Sequence, residues 1–214
     1  MIRLSAFRSV PPFAQGLVRD LRVRWALEEA GLPYQTQLID SNDQKSPAYR
    51  AMQPFGQVPA IDDDGFVLFE SAAIVMRIAE RSEVLMPRDA EGRSRMTAWM
   101  FAALNTIEPA IQNVTAIDLF FANEDWAKQR RPGALAQAQV RLDALAEWLK
   151  GRDYLEDRFT AADLMMTTVL RIPRHIDLVS KMPVLEAYRL RNEARPAFKR
   201  ALDAQMADFK EEAA

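Results

Sequence analysis

Apolar residues alternate along this chain only before residue 70; beyond it every apolar run repeats at helical spacing. That change of period is the strongest constraint on the fold, because a pattern of period two suits a half-buried strand and one near 3.6 suits a helix. Ile2, Leu4 and Ala6 mark a strand over 2–7, which Ser9-Val10-Pro11-Pro12 ends. Leu17, Leu21, Trp25 and Leu27, with charges between them, predict a helix over 16–30 that Gly31 and Leu32-Pro33 stop. Residues 34–39 read as a second strand, and 41–56 as an irregular polar link with room for a short helix around Tyr49. Two short apolar runs, 58–61 and 66–69, flank Asp62-Asp63-Asp64-Gly65, a hairpin signal, and 71–81 is helical. The order is β-α-β and then β-β-α. A helix between the first two strands requires them to pair in parallel, and the hairpin adds an antiparallel edge.

Residues 82–90, with Pro87, read as a linker. Helical runs follow at about 91–122, 134–150, 160–172, 183–194 and 197–210, and Pro109 is expected to kink or split the first. The chain of 214 residues allows one large domain or two small ones, and the change of pattern after residue 81 favours two. The expected class is α/β plus all-α: an N-terminal β-α-β / β-β-α domain over 1–81, the linker, and a C-terminal helical bundle over 91–214.

Composition removes several kinds of chemistry. Zero cysteines exclude a disulfide framework, a thiolate metal site, a cysteine nucleophile and a dithiol redox motif. The single histidine, His175, has no neighbours that suggest a metal site or a Ser–His triad, so no metal is expected. A net charge of -2, from 28 basic and 30 acidic residues without blocks of one sign, speaks against nucleic acid and anionic membranes. No stretch approaches the roughly 20 apolar residues of a membrane span, nor does the N-terminus read as a signal peptide, so a cytoplasmic location is expected.

Four stretches carry a resemblance. Gln53-Pro54-Phe55-Gly56-Gln57-Val58-Pro59-Ala60-Ile61-Asp62, followed by Phe69-Glu70-Ser71, resembles the glutathione S-transferase superfamily. Arg22 to Tyr34 is similar to that family's first helix and second strand, and Phe159-Thr160-Ala161-Ala162-Asp163 to its sixth helix. The resemblance implies a thioredoxin-like first domain holding glutathione as co-substrate and a helical domain holding a small apolar electrophile. It implies conjugation of the glutathione thiol to that electrophile, or a related isomerisation, reductive cleavage or peroxide reduction. It implies a homodimer too, built on the last helix of the first domain and the long helix at 91–122. The competing reading is a ligand- or partner-binding protein of the same fold that catalyses nothing.

The resemblance also assigns residues. A cis Val58-Pro59 bond would turn the N–H and C=O of Val58 outward, where glutathione, an extended peptide, can add as a strand. Ser71, in the first turn of a helix, would hold the γ-glutamyl carboxylate and Glu70 its ammonium group. Lys45, with Gln44 beside it and Gln57 at the same end, would meet the glycine carboxylate. On the residues alone, Val58-Pro59 also suits a trans proline opening an edge strand, Ser71 a plain N-cap, and Lys45 a solvated loop. Thr160 and Asp163 have the spacing of a capping box and read as structural. Met165, Met166 and the tryptophans read as core, and His175 as a surface or capping residue.

Thiol activation needs a donor that favours the thiolate. No cysteine is present, and no tyrosine precedes Tyr34. Ser9 lies just past the first strand, while the family's serine position, counted back from Gly31, falls on Val18 or Arg19. The open candidates are the Ser9 hydroxyl, the Arg19 guanidinium and backbone N–H groups of the first helix. Phe13, in the 10–15 loop, and Met100, Leu104 and Asn105, on the long helix, are expected to line the second-substrate pocket between the domains.

Overall fold

A computed structural model describes residues 1–209 of the chain. The chain divides into two compact units: Met1–Met86 together with the C-terminal helix, and Pro87–Glu193. The expected domains ended at 81 and began at 91. The larger difference is the last helix, which belongs to the first unit; residues 210–214, the end of the expected second domain, lie outside the described residues.

In the first unit four strands, β1 (Ile2–Phe7), β2 (Tyr34–Ile39), β3 (Ala60–Asp63) and β4 (Phe66–Phe69), form one sheet in the order β2-β1-β3-β4. β1 and β2 pair in parallel from Ile2↔Tyr34 to Phe7↔Ile39, because α1 (Asp20–Ala30) crosses between them. β3 lies antiparallel to both β1 and β4. Asp63 pairs with Phe66, so Asp64 and Gly65 alone make the hairpin turn, both at positive φ (52° and 94°), as tight hairpins require. The expected strand 58–61 is therefore shifted to 60–63. α1 likewise starts four residues later than expected, because residues 12–19 form turns. α2 (Pro47–Met52) is the short helix around Tyr49, and α3 is Ser71–Ala79.

The C-terminal helix α9 (Pro196–Asp208) packs along α1. Trp25, fully buried, meets Phe198 edge-on with ring centroids 4.8 Å apart. Behind that contact Arg24, itself buried, bonds Asp20 at 2.7 Å and pairs with Asp208, while the Gln205 amide donates to Asp20 at 2.7 Å. Burial pushes the Asp20 carboxyl up from its ordinary value, against the pull of Arg24.

The second unit is helical: α4 (Ala90–Ala102), α5 (Glu108–Phe120), α6 (Asp125–Leu149), α7 (Ala161–Leu170) and α8 (Pro183–Glu193). Pro109 lacks the N–H that would continue a regular ladder, and a π-helical turn over Ala103–Ile107 separates α4 from α5. α6 begins nine residues before the expected 134 and runs through Pro132. Ala127 before the proline and Ala134 and Ala138 after it share one core with Val114 and Ile117, so packing on both sides keeps the helix whole. α7 is buried along its whole length, which suits a helix apolar on nearly all faces. Its capping box is formed: Asp163 accepts from the Thr160 N–H at 2.9 Å, and also from the Leu155 N–H at 2.8 Å and the Tyr188 hydroxyl at 2.9 Å. Met165 and Met166 are core, but Trp126 and Trp148 are 51% and 40% exposed, against expectation. His175 sits 3.2 Å from the Asp118 carboxylate, which also takes the Arg131 fork at 2.6 and 3.0 Å. Among the described residues no helix is long and apolar enough to cross a membrane.

Candidate functional site

The sheet register brings the expected binding residues of the first unit to one end of the sheet. β1 and β2 are parallel, so both finish there; β1 leads to Ser9, and β2 to the turn Asp43–Lys45 that carries Gln44 and Lys45. β3 runs the other way, so its preceding residues, Gln57, Val58 and Pro59, lie at that same end. Ala60 pairs with Phe69, which sets Glu70 and Ser71 beside Pro59. Ser9 and Gln44 share one open depression with Phe7, Val10, Ile39 and Asp40.

The Val58-Pro59 bond is cis. Neither the N–H nor the C=O of Val58 is hydrogen-bonded to another described residue, although its side chain is buried. The chain on either side is held by side chains. The Gln44 amide donates to the Gly56 carbonyl at 2.8 Å, and Gln53 Oε1 accepts from the N–H groups of Phe55 and Gln57 at 2.7 and 3.2 Å. Gly56 has φ 63°, and a β-carbon there would come within 2.8 Å of the Gln44 carbonyl oxygen, so only glycine fits. Ser5 and Tyr49 complete the frame: Ser5 Oγ accepts from the Ala60 N–H at 2.8 Å and lies 2.8 Å from the Tyr49 hydroxyl, which donates to the Gln57 carbonyl at 2.7 Å. The sequence does not mark Ser5 or Gln53 as site residues, and it marks Tyr49 only as the centre of a short helix. The available signal was weak: a serine among the strand's apolar residues and a lone aromatic in a polar link.

Glu70 is the N-cap of α3 and Ser71 its first helical residue, so the plain N-cap reading of Ser71 does not hold. The Glu70 side chain caps nothing; it is exposed, on a backbone at φ 72° and ψ 114°. Such a conformation in a residue with a β-carbon costs on the order of 1–3 kcal/mol and gathers at ligand sites. The first helical bond runs from the Ile74 N–H to the Glu70 carbonyl, so the N–H groups of Ser71, Ala72 and Ala73 have no helical partner. Ser71 is buried, and its hydroxyl accepts from the Arg22 guanidinium at 3.3 Å. This end of α3 is fitted to hold a carboxylate, with the Glu70 carboxylate beside it for a cation. Lys45 is exposed and makes no ion pair among the described residues, and Gln57 is exposed too.

The donor residues differ in their setting. Ser9 is exposed, and its hydroxyl has no hydrogen bond to another described residue. Arg19 precedes α1 and is already engaged within the protein. The α1 backbone is partly spent: the Leu21 and Arg22 N–H groups bond the carbonyls of Val18 and Arg19 at 3.0 and 3.2 Å. Phe13 is 43% exposed. Of the three helical pocket residues, Met100 is buried and offers no open face, whereas Leu104 is half-buried and Asn105 exposed, both on the π-helical turn.

Comparison with known proteins bears on the whole chain. Residues 21–81 match the family model described as "Glutathione S-transferase, N-terminal domain" and residues 111–196 the "Glutathione S-transferase, C-terminal domain". Glutathione S-transferase F9 of Arabidopsis thaliana is 33% identical over 45% of this chain, and the chain thus spans about half of that relative, 47% of its length. A glutathione S-transferase of Hyoscyamus muticus is 27% identical over 86% of this chain and 92% of its own. Among solved structures, a glutathione transferase of Burkholderia graminis, described with two glutathione molecules bound per subunit, superposes with a TM-score of 0.82 at 27% identity, over 95% of this chain and 88% of its own.

Proposed function

The chain belongs to the glutathione S-transferase superfamily, and from that premise we propose that it binds glutathione at this end of its sheet and adds the thiol to a small apolar electrophile. The observation that carries the reading is the open backbone edge of Val58 beside the unpaired N–H groups of α3. A tripeptide laid along Val58 gains two main-chain bonds, as an added strand does. Its γ-glutamyl carboxylate then meets Ser71 and the α3 N-terminus, its ammonium Glu70, and its glycine carboxylate Lys45, with Gln44 and Gln57 alongside. The binding of glutathione by the Burkholderia graminis protein supports this choice of ligand.

Catalysis requires the thiolate. A free thiol titrates near 8.5, and each unit of lowering is about 1.4 kcal/mol of preference for the charged form. Ser9 is the favoured donor, because its hydroxyl is unengaged and shares the depression with Gln44, whereas Arg19 has a partner within the protein and the backbone at the start of α1 is partly spent. The thiolate then attacks the electrophilic carbon, and the leaving group departs with the bond's electron pair. In this reading the protein works in the cytoplasm as a homodimer.

The test combines retention on immobilised glutathione, turnover of a chloro-nitrobenzene, and the ultraviolet absorbance of the bound thiolate followed against pH. Bound glutathione is expected to titrate a unit or more below its free value, and Ser9→Ala to raise that value and lower kcat more than it raises KM for glutathione. Failure to retain the parent protein would overturn the reading. Retention without turnover would make it a ligand-binding protein of this fold, and an unchanged titration in Ser9→Ala would pass the donor role to Arg19 or the backbone.

A further inference from the structure

The ladder between β1 and β3 covers Ile2, Arg3 and Leu4, paired with Asp63, Asp62 and Ile61. At the next position the backbone pairing stops and a side chain takes over, since the Ala60 N–H bonds Ser5 Oγ. The donors and acceptors then follow in one direction. The Ala60 N–H donates to Ser5 Oγ at 2.8 Å, the Ser5 hydroxyl meets the Tyr49 hydroxyl at 2.8 Å, and the Tyr49 hydroxyl donates to the Gln57 carbonyl at 2.7 Å. Ser5 Oγ also lies 3.2 Å from the Ala60 carbonyl, farther than its 2.8 Å to Tyr49; with the Ser5 proton directed to Tyr49, each hydroxyl accepts once and donates once, and a chain of this kind strengthens each of its members. Ser5 is 2% exposed and Tyr49 5%, so water does not compete for either. The chain spans residues 57 to 60, bracketing Val58 and Pro59.

We infer that Ser5 and Tyr49 are positioning residues for the peptide backbone of glutathione, setting the Val58 edge before the ligand arrives. The inference rests on the binding mode proposed above. Neither hydroxyl touches the ligand; both act through the carbonyl of residue 57 and the amide of residue 60, which fix the plane in which Val58 presents its own N–H and C=O. An edge held in place beforehand spares the ligand the cost of ordering it.

The experiment is a double-mutant cycle between the protein and its ligand. Glutathione is compared with an analogue methylated on its cysteinyl nitrogen, which cannot give its N–H to the Val58 carbonyl. In the parent protein the methyl group should weaken binding, measured by calorimetry, by about tenfold. Tyr49→Phe and Ser5→Ala, which remove only a hydroxyl, should each weaken glutathione binding about three- to tenfold. In both variants the extra loss on methylation should shrink well below tenfold, and KM for glutathione should rise while kcat at saturation holds. Additive losses would overturn the inference, because a general softening of the domain would not couple to one ligand N–H. A measurement on the unmodified protein guards against variants that fail to fold. Without glutathione the Ala60 amide should resist hydrogen exchange while the Val58 amide exchanges freely, and equal rates would equally overturn the inference. A parent protein that does not bind glutathione defeats the binding mode; one that binds it and is indifferent to Tyr49→Phe defeats only the positioning role.

Discussion

Glu70 holds a backbone conformation that glycine adopts without strain, yet its side chain makes no cap to α3. Its identity therefore works against stability and is explained by a ligand. Glu70→Gly should raise the melting temperature by about 2–4 °C, the shift that roughly 1 kcal/mol produces in a chain of this size. Both Glu70→Gly and Glu70→Ala should weaken glutathione tenfold or more, since each removes a charged hydrogen bond worth on the order of 1.5–3 kcal/mol. Calorimetry and thermal melts on the same two variants check both halves. A glycine variant that binds like the parent would show that Glu70 serves some other end. The motif Phe69-Glu70-Ser71 was legible in the sequence, but the positive φ was not, because nothing in a Glu-Ser pair announces a left-handed backbone.

At the scale of elements, α1 and α9 form the least foreseen contact of the first unit. α1 is buried from Asp20 to Leu27, including three charged residues, and α9 supplies the Asp208 carboxylate and the Gln205 amide that help to satisfy them. A buried guanidinium without its partners would be strongly unfavourable, so these charges tie the two helices to a single arrangement. Phe198→Ala should cost about 3–5 kcal/mol by emptying the space against the Trp25 ring. Denaturant unfolding should report that loss, and Trp25 emission should move to the red as water reaches the ring. An unaltered midpoint would mean that α9 contributes little to the unit.

At the scale of the whole molecule, each unit has its own core, and the first holds all the glutathione-binding residues proposed above, from Gln44 to Ser71. Exposed aromatic side chains remain in both, among them Phe55 and Phe66 in the first and Phe101, Phe120 and Trp126 in the second. The homodimer proposed above would cover apolar surface of this kind between its two copies. Sedimentation equilibrium at micromolar concentration should return twice the chain mass of 24.3 kDa; a value near a single chain would remove the dimer from the proposal.

The amino-acid order by itself determined what is local. Strand 2–7 is set by alternation and strand 66–69 by a short apolar run beside a turn signal, Gly31 ends α1, Asp64-Gly65 turns the hairpin, and Thr160 with Asp163 caps α7. Each of these rests on neighbours a few residues apart, which a reader of the chain can see. Only the tertiary structure decided what is distant: that α9 folds back onto α1, that packing on both sides carries α6 through Pro132, and that a serine of β1 and a tyrosine of α2 together brace the chain around Val58. A helix face or a hydroxyl carries no mark of its partner in the order of residues. The match is made when burial strips water from a polar group and leaves one neighbour able to replace it.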